Sequence, residues 1–63
     1  MKYLAAIKHF YDTHSMLFDT KEKAEKWLDE NNNNLEARTT ISVFDNNWVN
    51  LETIVYTEGA SEN

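Results

Sequence analysis

The residues best suited to chemistry lie near the first expected turn of the chain. His9, Asp12 and His14 fall close together, and a histidine beside a carboxylate can transfer protons in catalysis. No nucleophile lies at a recognisable spacing from them, and a chain of 63 residues leaves little room for a pocket that excludes water. We therefore expect no catalytic site, and we interpret these residues as parts of a solvated turn.

Metal and cofactor chemistry has few candidate residues. The chain contains no cysteine, which excludes disulfides and thiolate metal sites, and its two histidines cannot complete a structural zinc site alone. A domain of this size buries only about 60% of the surface that its unfolded chain exposes. We expect no metal and no cofactor. We expect the stability to come from apolar burial, either within one chain or with the help of oligomerisation.

A row of carboxylates marks one side of an expected helix. Glu22, Glu25 and Asp29 are spaced i, i+3 and i+7, opposite the apolar residues of the same segment. Such a row could mimic the phosphates of a nucleic acid and block a DNA- or RNA-binding protein. Lys23 and Lys26 interrupt it, and solvated helix faces commonly carry the same pattern, so both interpretations stay open.

The net charge narrows the classes of partner. Eleven acidic residues against six basic ones give a charge of −5. A negative field disfavours direct binding to nucleic acid or to anionic membranes. It is compatible with a basic protein partner, and it also simply keeps a small protein soluble.

No apolar run approaches the ~20 residues of a membrane span, and residues 1–10 fall short of a secretory signal. We expect a cytoplasmic protein.

The helix that carries the acidic row has recognisable ends. Asp19 followed by Glu22 is typical of a capping box. Residues 20–31 are mostly good helix formers, and the asparagines at 31–34 suit a helix end, because asparagine tolerates the left-handed conformation there.

The apolar side of this helix should cover a sheet. Ala24, Trp27 and Leu28 fall at i, i+3 and i+4 and form one apolar stripe. We expect Trp27 to be buried against Ile41 and Leu51.

The first part of the chain predicts a hairpin. Residues 2–11 are apolar on both alternating sides, which favours a central strand. Residues 12–14 form the expected turn, and residues 15–19 form a short second strand.

The last part predicts a second hairpin with a defined register. A three-residue loop at 45–47 would place Phe44 opposite Trp48, with Asn47 in the left-handed conformation that such a loop needs. It also gathers the aliphatic residues on one side. The expected pairs on that side are Ala37 with Val55, Thr39 with Thr53, Ile41 with Leu51, and Val43 with Val49.

The other side of this hairpin combines aromatic and polar residues. The aromatic pair at the tip could simply clamp the hairpin, a contact worth roughly 0.2–1 kcal/mol. It could also belong to a partner surface, because tryptophan and tyrosine are enriched at binding hot spots. The candidate partner-binding residues are Phe44, Trp48, Tyr56, Ile54, Arg38 and Glu52.

Residues 14–32 carry a local resemblance to a group of proteins. A strand that ends in phenylalanine leads into a helix of the form T-x-E-x-A-x-x-W/Y-L. The matching residues are Phe18, Thr20, Glu22, Ala24, Trp27 and Leu28. With the Asn-, Lys- and Glu-rich, Pro-free composition, this resembles small early proteins of Bacillus-type bacteriophages. The resemblance implies an inhibitor that binds one host protein in the host cytoplasm, and it supplies no functional residues.

Together these observations predict an α+β domain. We expect an antiparallel sheet of about four strands in the order β-β-α-β-β, with one helix on one face. The domain should span residues 1–57, followed by a disordered acidic tail at 58–63. The expected function is non-enzymatic binding, and inhibition or redirection, of a host protein. The alternatives are acidic mimicry of nucleic acid and a self-associating structural module that forms a homodimer.

Overall fold

The structure, a computed structural model, describes residues 1–9, 11–32 and 37–59. It contains, in chain order, β1 (Lys2–Lys8), β2 (Thr13–Phe18), α1 (Lys21–Asn31), β3 (Arg38–Phe44) and β4 (Asn50–Thr57). The strands form one antiparallel sheet in the order β2-β1-β3-β4, and α1 packs against one face. The predicted α+β fold and its element order are confirmed.

The strand β1 lies at the centre of the sheet, as its apolar pattern predicts. It pairs with β2 on one side and with β3 on the other. Ala5 and Ile7 are buried beneath α1, while Leu4 and Ala6 on the opposite side are half-buried. The first turn is earlier than expected, because the His9 N–H donates to the Asp12 carbonyl at 2.7 Å and β2 begins directly after it.

The core lies between α1 and the two central strands. It combines three alanines with three larger aliphatic side chains. Thr39 is buried beside this cluster. The core residues are Ala5, Ile7, Ala24, Leu28, Ala37 and Ile41.

The N-terminal cap of α1 is one residue later than predicted. Thr20 is the N-cap, and its hydroxyl accepts the Lys23 N–H at 3.2 Å. Asp19 instead accepts a hydrogen bond from the Lys23 ammonium at 3.1 Å, which lowers the pKa of this carboxyl below its ordinary value. The predicted capping box is wrong because both residues are good caps, and the backbone path selects the second.

The C-terminal end of α1 falls in the asparagine run, as predicted. The helix ends at Asn31, and Asn32 donates its N–H to the Leu28 carbonyl at 2.9 Å. Asn32 has an extended backbone (φ −88°) rather than a left-handed one; residues 33 and 34 lie outside the described part of the chain. No helix among the described residues is long and apolar enough to cross a membrane.

The helix sits toward one side of the sheet. It packs mainly on β1 and β2 and less on β3. Trp27 is half-buried and contacts Phe18 of β2, with the ring centroids 6.1 Å apart. Leu51 of β4 remains 51% exposed. Trp27 thus packs against the core cluster that contains Ile41, as predicted. Its predicted full burial and its predicted contact with Leu51 are wrong, because α1 lies over the other half of the sheet.

The register of the second hairpin also differs from the prediction. Two bulges in β4 leave Leu51 and Tyr56 without a direct partner, so the simple alternation on which the prediction rested is broken twice. The loop spans five residues rather than three. The observed pairs are Phe44 with Asn50, Val43 with Glu52, Ser42 with Thr53, Ile41 with Ile54, Thr40 with Val55, and Thr39 with Thr57.

Contacts continue for at least one residue beyond β4. The Glu58 carboxylate accepts a hydrogen bond from the Arg38 guanidinium at 3.3 Å. The predicted tail begins at this residue, and its last part, 60–63, lies outside the described residues.

Candidate protein-binding surface

The face of the sheet opposite α1, here called the open face, is the main candidate for a functional site. Side chains alternate along a strand, so the neighbours of the buried residues of β1 and β3 point away from the helix. Pairing extends this face to β2 and β4. Its apolar residues include Leu4, Leu17, Phe44 and Val55, and its cationic residues are Lys2, Lys8 and Arg38.

A tightly bonded loop presents a tryptophan at one end of this face. The Asp45 carboxylate accepts the N–H groups of Asn47 at 2.8 Å and Val49 at 3.0 Å. The Asp45 carbonyl accepts the Trp48 N–H at 3.0 Å, and the Asp45 N–H donates to the Val49 carbonyl at 3.1 Å. These four hydrogen bonds constrain the backbone from Asp45 to Val49.

Trp48 has the unusual backbone conformation in this loop. Its φ is +63°, the only positive φ among the described residues other than glycine. For a residue with a Cβ atom, the left-handed conformation costs roughly 1–2 kcal/mol. The prediction of this conformation at Asn47 is wrong by one residue. The Asp45 hydrogen bonds therefore hold a tryptophan, rather than a residue that tolerates this conformation well, in a strained position.

The Trp48 ring is exposed and has two neighbours on the open face. It remains 56% exposed, with the Phe44 ring 6.0 Å away and the Lys2 ammonium 4.6 Å from its centroid. As predicted, Phe44 and Trp48 are in contact on the side that α1 leaves uncovered. They are not directly opposite, because Phe44 pairs with Asn50.

The six predicted partner-binding residues do not share one surface. Arg38 lies on the open face with the two aromatic residues. Glu52 and Ile54 lie on the helix side, because they pair with Val43 and Ile41. Tyr56 also points toward the helix, where its hydroxyl donates to the Glu25 carboxylate at 2.7 Å. The prediction of a common face is wrong because it depended on an unbroken alternation in β4.

The open face is cationic although the chain is acidic. Lys2, Lys8 and Arg38 all point to it, and its other strand positions carry no carboxylate. Lys8 lies directly opposite Arg38, and like charges in that position destabilise a sheet. Glu58 partly offsets this cost through its ion pair with Arg38. The even spacing of Lys2 and Lys8 in a predicted central strand was the signal that could have located them.

The three residues of the predicted acidic row differ in exposure and in contacts. Glu22 and Asp29 are exposed, whereas Glu25 is half-buried and accepts the Tyr56 hydroxyl. Tyr56 remains 41% exposed, so its burial is partial. This partial burial, and then the hydrogen bond to Glu25, raise the pKa of Tyr56 to about 12. Glu25, Asp29 and Tyr56 border a cleft of about 300 Å³ between α1 and β4.

The residues near the first turn lie at the surface. Asp12 and His14 are exposed, His9 is half-buried, and the two imidazole rings meet edge-on with centroids 6.2 Å apart. The described ranges contain no group of three or more His, Asp or Glu side chains placed to hold a metal ion. These residues therefore form a less well-defined candidate site than the open face.

Known proteins offer no template for this surface. Comparison of the chain with protein-family models, with curated proteins and with solved structures finds no match.

Proposed function

We propose that this chain is a small non-enzymatic protein whose open face binds another protein and thereby inhibits or redirects it. The observation that carries the proposal is the presentation of Trp48. Its ring is exposed, and four hydrogen bonds of the loop hold its backbone in the left-handed conformation. Strained positions of this kind cluster at functional sites, and tryptophan is among the commonest anchors of protein interfaces.

The chemistry around Trp48 supports a protein as the partner. The Phe44 ring and the aliphatic side chains of Leu4 and Leu17 extend the apolar area across three strands. An apolar centre with a polar rim is the usual anatomy of a protein–protein interface. A nucleic acid would gain little from the aliphatic part, and the net charge of −5 would repel it.

The charges of the open face indicate the character of that partner. Lys2 lies at one end, and the Lys8–Arg38 pair lies at the other. Complementary potentials guide specific association, so the proposed partner presents carboxylates around an apolar patch. This differs from the basic partner with which the net charge alone is compatible. The resemblance of residues 14–32 to small phage proteins makes a host protein in the host cytoplasm the proposed target.

Acidic mimicry by α1 is the second candidate. Glu22 and Asp29 are exposed on the helix, and the Lys23 charge between them is paired with Asp19. This function would use the opposite side of the molecule from Trp48. The two candidates therefore make opposite predictions for substitutions on the two sides.

A paired set of variants tests the proposal once affinity capture from a Gram-positive lysate has identified a partner. Trp48→Ala should weaken partner affinity by more than about 2 kcal/mol, the hot-spot threshold, in a calorimetric titration. Leu51→Ala is the matched control, because Leu51 is exposed to a similar extent (51% against 56%) but lies on the helix side. Its affinity should not change.

The opposite pattern would remove the proposal. If Trp48→Ala binds normally, while Glu22→Gln combined with Asp29→Asn abolishes binding and DNA competes for the partner, the protein acts by acidic mimicry. If neither side matters, the partner uses another surface and Trp48 serves only the hairpin.

A further inference from the structure

The two edges of the sheet are protected to different degrees. Two bulges interrupt the pairing of β4, and Glu52 lies within it; both features hinder the addition of another strand. The strand β2 has neither. Its six residues pair with β1 in an unbroken register, and none of residues 13–18 is charged or a proline. An unprotected edge of this kind is a template for a further strand.

Apolar side chains flank this edge on both faces. Met16 is 49% exposed and lies on the helix side, opposite Ala5. Leu17 is 45% exposed and lies on the open face, opposite Leu4. In the described part of the chain, no strand pairs with the outer side of β2. An added strand would therefore gain main-chain hydrogen bonds and apolar contacts together.

We propose that β2 pairs in antiparallel fashion with β2 of a second copy of this chain. The two copies then share one eight-stranded sheet, with both helices on the same side. This goes beyond the proposed function, because it uses the outer edge of β2 and leaves Trp48 free.

Self-complementarity identifies a second copy as the occupant. In a two-fold interface the same surface of each copy meets the other. A register centred on Met16 sets Met16 against Met16, Ser15 against Leu17, and His14 against Phe18. The nearest carboxylate, Asp19, then lies opposite Thr13 rather than opposite another acid. Like charges would oppose such pairing, and this register contains none.

The position of α1 also fits this arrangement. The helix packs on β1 and β2 rather than on the middle of the sheet. The half-buried contact of Phe18 with Trp27 therefore lies beside the proposed two-fold axis. In the register centred on Met16, His14 of the second copy lies beside Phe18 and covers the outer side of this contact. A 63-residue chain, whose own core is small, gains burial in this way.

Sedimentation equilibrium of the full chain tests the proposal. Between about 10 µM and about 1 mM, the average mass should rise from 7.4 kDa toward twice that value. Met16→Lys places two like charges at the centre of the register, and should raise the concentration at half-association at least about 10-fold. The matched control is Tyr11→Lys, at a residue that is 97% exposed and outside β2. It should associate like the unmodified chain.

Two results would overturn the proposal. One is a mass that stays at 7.4 kDa over the whole range. The other is association that survives Met16→Lys but is lost in Trp48→Ala, since this would locate the interface on the open face.

Hydrogen exchange of the unmodified chain gives a test that does not depend on how the variants fold. On raising the concentration, the amides of residues 13–18 that point away from β1 should exchange more slowly, and those of β4 should not change. Slowing in β4 without slowing in β2 would refute the proposed edge.

Discussion

The two faces of the sheet are built from the same strands, but one is buried by α1 and the other remains exposed. On the helix side, Ala5 and Ile41 are fully buried beneath Ala24 and Leu28. On the open face, Trp48 remains more than half exposed beside cationic side chains. A single helix of 11 residues can cover only one side of a four-stranded sheet. The difference shows that α1 completes one core and leaves the other face of the sheet uncovered.

Even the helix side is incompletely covered. Because α1 lies toward β2, the helix-side residues of β4 border a cleft of about 340 Å³ that also includes Tyr3 and Val43. Among the described residues, the Tyr56–Glu25 hydrogen bond joins a side chain of β4 to a side chain of α1. Stability should therefore depend on the central strands, much less on the open face, and least on β4.

The largest expected effect distinguishes the two faces directly. Ile41→Ala, at a fully buried site in a central strand, should reduce the free energy of unfolding by about 2–5 kcal/mol. Leu4→Ala removes a side chain of the same size from the open face of the other central strand, where it is half-buried. It should cost less than half as much. Urea denaturation of both variants measures the difference. Equal losses would mean that the open face is also a core.

An intermediate effect concerns the start of the covering helix. Thr20→Ala removes the side chain that accepts the Lys23 N–H and should lower stability by about 1 kcal/mol. Asp19→Ala removes only an exposed ion pair, and its effect should be smaller. Thermal unfolding of the two variants compares them. A larger loss for Asp19→Ala would restore the capping box predicted from the sequence.

The smallest expected effect lies at the link between α1 and β4. Tyr56 has a pKa raised to about 12, so the folded state holds the phenolic proton more tightly than the unfolded state, whose tyrosines titrate near 10. This contribution to stability is fully present below pH ~10 and is lost as the pH rises toward ~12. Ultraviolet titration of tyrosinate should show a step near pH 12 that Tyr56→Phe removes. A difference curve centred near pH 10 would show that the hydrogen bond to Glu25 does not persist in solution.

Local patterns in the sequence predict much of the fold. The helix follows from the spacing of Ala24, Trp27 and Leu28, and the central position of β1 follows from its apolar character on both sides. The contact between Phe44 and Trp48 is also predictable, because a short loop brings its two ends together. These features depend on residues within a few positions of one another, where side-chain type limits the backbone strongly.

The composition of the candidate site was less predictable. The alternation of residues predicts Glu52, Ile54 and Tyr56 on the aromatic face, whereas the structure places them on the helix side. The reason lies in the hydrogen bonds of the loop and in two bulges of β4. Each of these features shifts the residues of β4 relative to their partners in β3. Neither the loop hydrogen bonds nor the bulges can be predicted from the alternation of apolar and polar residues.

The sequence by itself determined the elements of this protein, their order and the apolar stripe of α1, because each depends on local periodicity and capping chemistry. Only the tertiary structure decided the register of β4, the left-handed conformation of Trp48, the lateral position of α1 and the gathering of Lys2, Lys8 and Arg38 on one face. These features arise from pairing between segments that are distant in the chain. The free-energy differences between alternative pairings depend on contacts that exist only after the chain has folded.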